Sequence, residues 1–313
     1  VDFQHEPVLL QQTLDLLALS PRGIYVDGTL GGGGHSAAIL QALPDSKLIG
    51  IDQDEEALIA AKERLAPFGD RVQLIHSNFS DMARIIRDLG IAEVDGVLLD
   101  IGVSSYQLDS GERGFSYMQD APLDMRMDRS AYVATASDLV NHLSEEDLAN
   151  LIYRYGEERY SRRIARAIVT ARQLSPIETT GQLTVIIKKA MPHAAKKEDQ
   201  HPAKRTFQAL RIAVNRELSV LEEGLAGALH ILKPGGRLCV ITFHSLEDRI
   251  VKETFRTWAK GCICPPEMPI CQCGKKPSVK LVNKKPIIAD DNELARNPRA
   301  RSAKLRGAEK LAV

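Results

Sequence analysis

No run of eighteen apolar residues occurs in this 313-residue chain, so no segment reads as a membrane-crossing helix. The opening Val1-Asp2-Phe3-Gln4-His5-Glu6 lacks the character of a signal peptide, and a cytoplasmic protein with no membrane partner is expected. Cysteine is scarce: five in a chain of this length do not make a secreted disulfide framework. Internal repeats and low-complexity tracts are absent as well. What remains is an ordinary globular composition, 44% hydrophobic, long enough for a full α/β domain and a smaller one.

Net charge is also lacking, but the zero conceals an asymmetry. Residues 1–150 carry 10 Lys+Arg against 25 Asp+Glu, whereas residues 151–217 and 252–313 each carry 14 against 6. Two basic segments on a neutral chain are compatible with local nucleic-acid binding or with solvated helical faces.

The chain is organised around Tyr25-Val26-Asp27-Gly28-Thr29-Leu30-Gly31-Gly32-Gly33-Gly34-His35-Ser36, a β-prone lead-in, a five-glycine turn and the start of a helix. Glycine lets a ligand approach the backbone, and a helix start presents N–H groups without intrahelical partners. Gly32 to Ala37 fits the loose G-x-G-x-x-G/A dinucleotide pattern, with Asp52 placed as a ribose-binding acid. Asp27 discriminates between ligands. At the mouth of the loop a carboxylate repels a pyrophosphate but attracts the ammonium and sulfonium of S-adenosyl-L-methionine.

Short apolar runs at Leu48–Asp52, Val72–His76, Val94–Asp100 and Arg237–Phe243 read as buried strands, with helices at 7–18, 55–65 and 206–232. Alternation at this spacing predicts a Rossmann-like, doubly wound parallel sheet that binds its ligand beyond the carboxyl ends of the strands. Those ends hold Asp27, Asp52, Phe79 and Asp100. Together they suit an adenosine: Asp52 accepts from the ribose hydroxyls, Phe79 packs on the adenine, and Asp100 faces the reacting end. His244, at the exit of the last of these strands, is either structural or functional.

After Asp100 the alternation stops. About thirty residues of loop, aromatic yet without period, suggest a functional segment. Helical patterns from Ala136 to Pro192 suggest an inserted domain. The expected division is 1–115 and 206–313 for the sheet domain and 116–205 for the helical insert. Cys262, Cys264, Cys271 and Cys273 fall within twelve residues and suit a tetrahedral zinc, although the usual C-x-x-C spacing is missing, so a metal is left open.

These motifs together resemble the RsmH (MraW) family. The resemblance rests on Asp27–Ser36, Leu99–Ser105, Arg113–Ser116, Leu123–Asp128, Thr206–Arg211, Phe243–Lys252 and Asn297–Ser302, nearly the whole chain. It implies a class I S-adenosylmethionine-dependent methyltransferase sheet with an inserted helical, substrate-recognising domain. The implied activity is methylation of the exocyclic N4 amine of a cytidine in the decoding region of 16S ribosomal RNA, with that RNA or the small ribosomal subunit as partner. It further implies Gly33, Gly34, His35, Asp52, Phe79, Asp100 and Gln107 as cofactor contacts. Asp100 is the best-placed catalytic acceptor for the amine. Not all members carry the cysteine cluster, so the resemblance does not establish zinc.

Many base-amine methyltransferases place an Asp/Asn-Pro-Pro-aromatic tetrapeptide after this strand, but here the sequence is Asp100-Ile101-Gly102-Val103. Tyr106, Phe115, Tyr117 and His244 are the candidates to stack on the base instead. The alternatives are a methyltransferase acting on a protein or small molecule, and a nucleotide-binding module without catalysis.

Overall fold

The computed structural model describes residues 6–103, 107, 111–192, 200–265, 268, 270 and 272–312. The chain divides into two compact units, one formed by residues 1–102 and 218–313 and the other by residues 103–217. The helical unit thus begins earlier and ends later than the 116–205 expected.

The first unit holds a seven-stranded sheet in the order β3-β2-β1-β4-β5-β7-β6. Its strands are β1 (Ile24–Asp27), β2 (Lys47–Asp52), β3 (Val72–His76), β4 (Val94–Asp100), β5 (Leu232–Thr242), β6 (Val279–Leu281) and β7 (Lys304–Lys310). Strands β3, β2, β1, β4 and β5 are parallel, while β7 runs antiparallel between β5 and β6. The order reverses between β1 and β4, so the cleft expected of a doubly wound sheet opens at the ends of these two strands.

The apolar runs make such strands because both sheet faces are covered. Val26, Ile49, Val97, Leu99 and Val240 point to one face, against α4 (Met82–Asp88), α10 (Glu217–Ile231) and α11 (Ser245–Ala259). Tyr25, Leu48, Leu98 and Ile241 alternate with them onto the other, against α1 (Leu10–Leu17), α2 (Gly34–Ala42) and α3 (Glu55–Leu65). At β5 the sequence Lys233-Pro234-Gly235-Gly236 bulges: Val94 pairs with Leu232, but Gly96 pairs with Arg237. Among the described residues no helix is long and apolar enough to cross a membrane.

The second unit packs α5 (Ala136–His142), α6 (Glu145–Gly156), α7 (Ser161–Arg172), α8 (Thr180–Ala190) and α9 (Lys204–Asn215) around Leu148, Ile152, Ile164, Ile168, Leu183 and Phe207. Three of its helices begin on side-chain caps: Thr135 and Thr179 form reciprocal capping boxes, and Ser144 accepts from the Asp147 amide. The single helix expected over 206–232 is two helices. Arg216 adopts φ 51° and ends α9, and α10 starts at the next residue. As a consequence, α9 belongs to the helical unit rather than to the sheet.

The described part of the long loop is likewise structural. The buried Arg113 donates to the carbonyls of Arg126 and Met127 at 3.1 and 3.0 Å. Asn215 accepts from the Met127 amide and donates to the Met125 carbonyl, both at 2.8 Å. Leu123, Met125, Met127 and Phe115 are core residues of the helical unit. A segment without helix or strand keeps its shape here because buried side chains satisfy its backbone groups.

One close approach fixes the exit of β3. Phe79 is buried in the sheet core, and a Cβ at Gly224 of α10 would lie 2.3 Å from its ring. Gly224→Ala ordinarily favours a helix by about 1 kcal/mol, but overpacking here should outweigh that by about 1–3 kcal/mol. The expected result is a thermal midpoint lowered by a few degrees and largely restored by Phe79→Leu in the same chain. A Gly224→Ala protein as stable as the parent would show that the ring is not lodged there.

Candidate active site

The glycine loop leaves β1 at Asp27 and turns into α2 at Gly34. Gly33 takes φ 74° at the helix N-cap, in the left-handed region that favours glycine, and no side chain caps the helix. A Cβ on Gly34 would come within 2.5 Å of the Pro7 ring, so no larger residue fits. The loop is fastened to the end of β2: the Gly31 amide donates to Asp52 Oδ2 at 2.8 Å and the Leu30 amide to the Ile51 carbonyl at 3.1 Å.

Asp27 does not face the cleft. It is buried beneath the loop, accepting from Ser36 Oγ at 2.6 Å and from the Thr29 amide at 3.2 Å. Burial pushes its pKa up to about 6 against these two hydrogen bonds. Its charge acts on its neighbours from below instead of meeting a ligand directly.

Asp52 is half-buried at the end of β2 and accepts from the amides of Gly31 and Asp54, at 2.8 and 2.9 Å. Burial, with smaller contributions from Asp54 and Asp27, raises its pKa to about 6 despite those amides. Each oxygen can accept a second bond. The carboxylate is therefore oriented by the backbone and still able to receive two vicinal hydroxyls.

Asp100 closes β4. Its amide donates to Thr29 Oγ1 at 2.6 Å, tying the strand end to the loop. Its Oδ2 lies 3.8 Å from His35 Nδ1, while Oδ1 is shielded from water and has no hydrogen bond among the described residues. Burial, then the charges of Asp27 and Glu247, push its pKa up to about 8. His35 is buried in the first turn of α2, and its Nε2 donates to the Val8 carbonyl at 3.0 Å. That bond fixes the tautomer, leaving Nδ1 directed at Asp100.

The structure thus brings Gly33, Gly34, His35, Asp52 and Asp100 to one edge of the sheet. Phe79 stands at the β3 exit, but its ring is 9% exposed and belongs to the core, leaving at most an edge for an adenine. Gln107 is buried and belongs to the helical unit. Tyr106 lies outside the described residues, as does Cys271. Phe115 is in the helical core, and Tyr117 stacks on His201 with ring centroids 4.5 Å apart. His244 has a structural role: it caps α11, forming a reciprocal box with Glu247 and lying 2.9 Å from its carboxylate.

Thr29, Ser36 and Glu247 were not among the expected site residues. A carboxyl three residues after a strand-exit histidine is a capping-box spacing, which was the available signal for Glu247.

A family model described as the MraW methylase family matches residues 2–311. The ribosomal RNA small subunit methyltransferase H of Symbiobacterium thermophilum is 60% identical over 310 residues, covering 99% of this chain and 97% of the relative. That of Geobacter sulfurreducens is 58% identical over 310 residues, covering 99% of each. Among solved structures, an rRNA methylase from Streptococcus thermophilus covers 98% of both chains at 12% identity and a TM-score of 0.43, a likeness too remote to bear on the site.

Two outcomes are expected for the cofactor. If Asp52 accepts from the ribose hydroxyls, Asp52→Ala should weaken S-adenosyl-L-methionine binding by about 1.5–3 kcal/mol, roughly ten- to a hundred-fold. Calorimetry finding unchanged affinity in a folded variant would refute that role. The second outcome concerns pH. Asp100 has a folded pKa of about 8 against an ordinary 3.8, so the stability it contributes is complete below about 3.8 and is lost progressively between there and about 8. A cationic ligand favours the ionised carboxyl, so affinity should rise over the same interval and binding should release protons. Ligand-free thermal stability should fall there, and Asp100→Asn should flatten both profiles. A pH-independent affinity for the cationic cofactor would contradict this electrostatic assignment.

Proposed function

The chain belongs to the MraW methylase family, and on that premise we propose that it transfers a methyl group from S-adenosyl-L-methionine to the N4 amine of a cytidine in the decoding region of 16S ribosomal RNA. It would act in the cytoplasm, with the helical unit recognising the substrate. The observation that carries the reading is the partly buried carboxyl of Asp100, its side chain 25% exposed, one oxygen lacking a hydrogen bond among the described residues and its charge opposed by Asp27 and Glu247. Such a site suits a cation and a hydrogen-bond donor, and disfavours the pyrophosphate of a dinucleotide.

The residues present fit the cofactor by their chemistry. Asp52 would hold the ribose, and the uncapped first turn of α2, with Gly33 and Gly34, would receive the methionine carboxylate. When bound, the cofactor supplies a methyl group already activated on a sulfonium.

The protein's remaining task concerns the acceptor. The N4 lone pair of cytosine is delocalised into the ring, which makes the amine a poor nucleophile. The carboxyl of Asp100, whose side chain is 25% exposed, would accept a hydrogen bond from N4–H and draw electron density back to nitrogen. After transfer the nitrogen carries one proton too many. Ionised beside the cationic donor, the Asp100 carboxyl could take that proton once the sulfonium has become a neutral thioether, and give it up to solvent when the next cation binds. Thr29 accepts from the Asp100 amide and fixes the strand end, and His35 Nδ1 lies 3.8 Å from Asp100 Oδ2.

RNA binding is supported by basic side chains exposed to solvent. Arg162 and Arg163 on α7, Lys204 on α9, and Arg299 and Arg301 before β7 are exposed. Lys304 and Arg306, by contrast, pair with Asp248 at 3.1 and 2.8 Å and serve the fold.

The test is S-adenosylhomocysteine release with small ribosomal subunits, with free 16S RNA and without substrate, joined to nucleoside mass spectrometry. N4-methylcytidine should form at a single position, and Asp100→Asn should lower kcat by roughly a hundred-fold or more. Methylation of protein alone, or turnover unaffected by Asp100→Asn, would overturn the proposal. Replacing Lys204 and Arg205, or Arg299 and Arg301, by Ala should leave cofactor affinity intact. Every side chain in these pairs that neutralises a phosphate should, on removal, flatten the salt dependence of RNA binding by roughly 0.7 in log–log slope for a single strand. Parent slopes in both double variants would mean that these are solvated faces.

A further inference from the structure

Between the end of α11 at Ala259 and the start of β6 at Val279 runs a segment that the proposed methyl transfer does not use. Neither helix nor strand is found in its described residues, and Ile263, Met268 and Ile270 are exposed, so it has little apolar core of its own. Segments this long hold a defined shape only with some other constraint.

The sulfurs of Cys262, Cys264 and Cys273 all lie within 4.8 Å of one another. Cys262 and Cys273 are 3.8 Å apart, well beyond the roughly 2.05 Å of a disulfide. Four ligands arranged tetrahedrally about zinc, with Zn–S near 2.3 Å, place their sulfurs roughly 3.8 Å from each other. The backbone is turned toward the same atoms. The amides of Ile263, Cys264 and Gln272 donate to the sulfurs of Cys273, Cys262 and Cys264, at 3.4, 3.3 and 3.4 Å.

Amide donors stabilise a thiolate over a thiol, and they hold a ligand sulfur in one orientation. Lys260, Lys275 and Lys276 flank the cluster in sequence and would offset the negative charge of several thiolates on one divalent ion. Sulfur donors of this number and softness select zinc over calcium or magnesium.

We propose that Cys262, Cys264 and Cys273 bind a structural zinc ion that fixes the segment between α11 and β6. Binding is a ligation without electron transfer: each thiol gives its proton to solvent and its sulfur to Zn²⁺. Cys271, two residues before Cys273 in a repeat of the Cys262/Cys264 spacing, is the first residue to replace when the fourth ligand is sought.

The test uses the full chain, purified under reductant. Elemental analysis should find one zinc per chain, and Cys262→Ser with Cys264→Ser should abolish it. Cobalt(II) added to the metal-free parent should give the visible bands of a tetrahedral thiolate site, bleached by zinc. This second measurement needs no variant and so does not depend on the mutant fold. Parent protein that takes up neither metal would overturn the proposal. So would a Cys262–Cys273 disulfide in the reduced preparation, or undiminished zinc in the double variant.

Discussion

The ligand edge of this sheet depends on three carboxyls that are wholly or partly withdrawn from water. Three carboxyls at the ends of β1, β2 and β4 all have raised pKa values, and in each case burial is the largest cause. They differ in what compensates them. Asp27 and Asp52 have hydrogen-bond donors on both oxygens, whereas Asp100 has a histidine at 3.8 Å on one side and, among the described residues, no donor on the other. Of the three, Asp100 is the one whose ionised form most needs a cation or a donor. On the proposed reading, a positively charged methyl donor would be a better ligand here than its neutral product, which would favour exchange after turnover.

The sheet could be read in the sequence because a strand covered on both faces must be a short apolar run, and its ligand edge must lie where a polar residue ends the run. Asp52 and Asp100 were legible on that ground. The orientation of Asp27 was not, since a carboxylate at a loop mouth reads the same whether it points into the cleft or underneath. Only the neighbours Thr29 and Ser36 decide between these, through hydrogen bonds that bring together residues two and nine positions away. The break at Arg216 was hidden for a related reason. Arginine has no strong turn signature, and the apolar spacing continues through it, so periodicity alone joins α9 to α10.

The motifs after β4 show how a long specific match divides between chemistry and scaffolding. Arg113, Phe115, Met125 and Met127 are as distinctive in the sequence as the glycine loop, yet those side chains are buried in the helical unit. An arginine whose guanidinium holds two carbonyls is tied to its place by geometry as firmly as a catalytic group is. The same caution applies to the basic C-terminal segment, where Lys304 and Arg306 answer Asp248 and Arg299 and Arg301 remain exposed.

The segment before α2 is held from the far end of the chain. His35 donates to the Val8 carbonyl, the adjacent Leu9 amide donates to Glu293 across 284 positions, and Asn297 donates to the Glu6 carbonyl. Strand β7, which follows, is the sheet partner of β6 and the outer neighbour of β5. During synthesis, β1 through β4 and the glycine loop therefore emerge long before the residues that brace them. A ribosome-bound chain halted ahead of β7 carries every carboxyl of the site on a sheet with an open edge. Bracing of this segment is thus completed late, and quality control acting on incomplete chains would meet an exposed β5 edge.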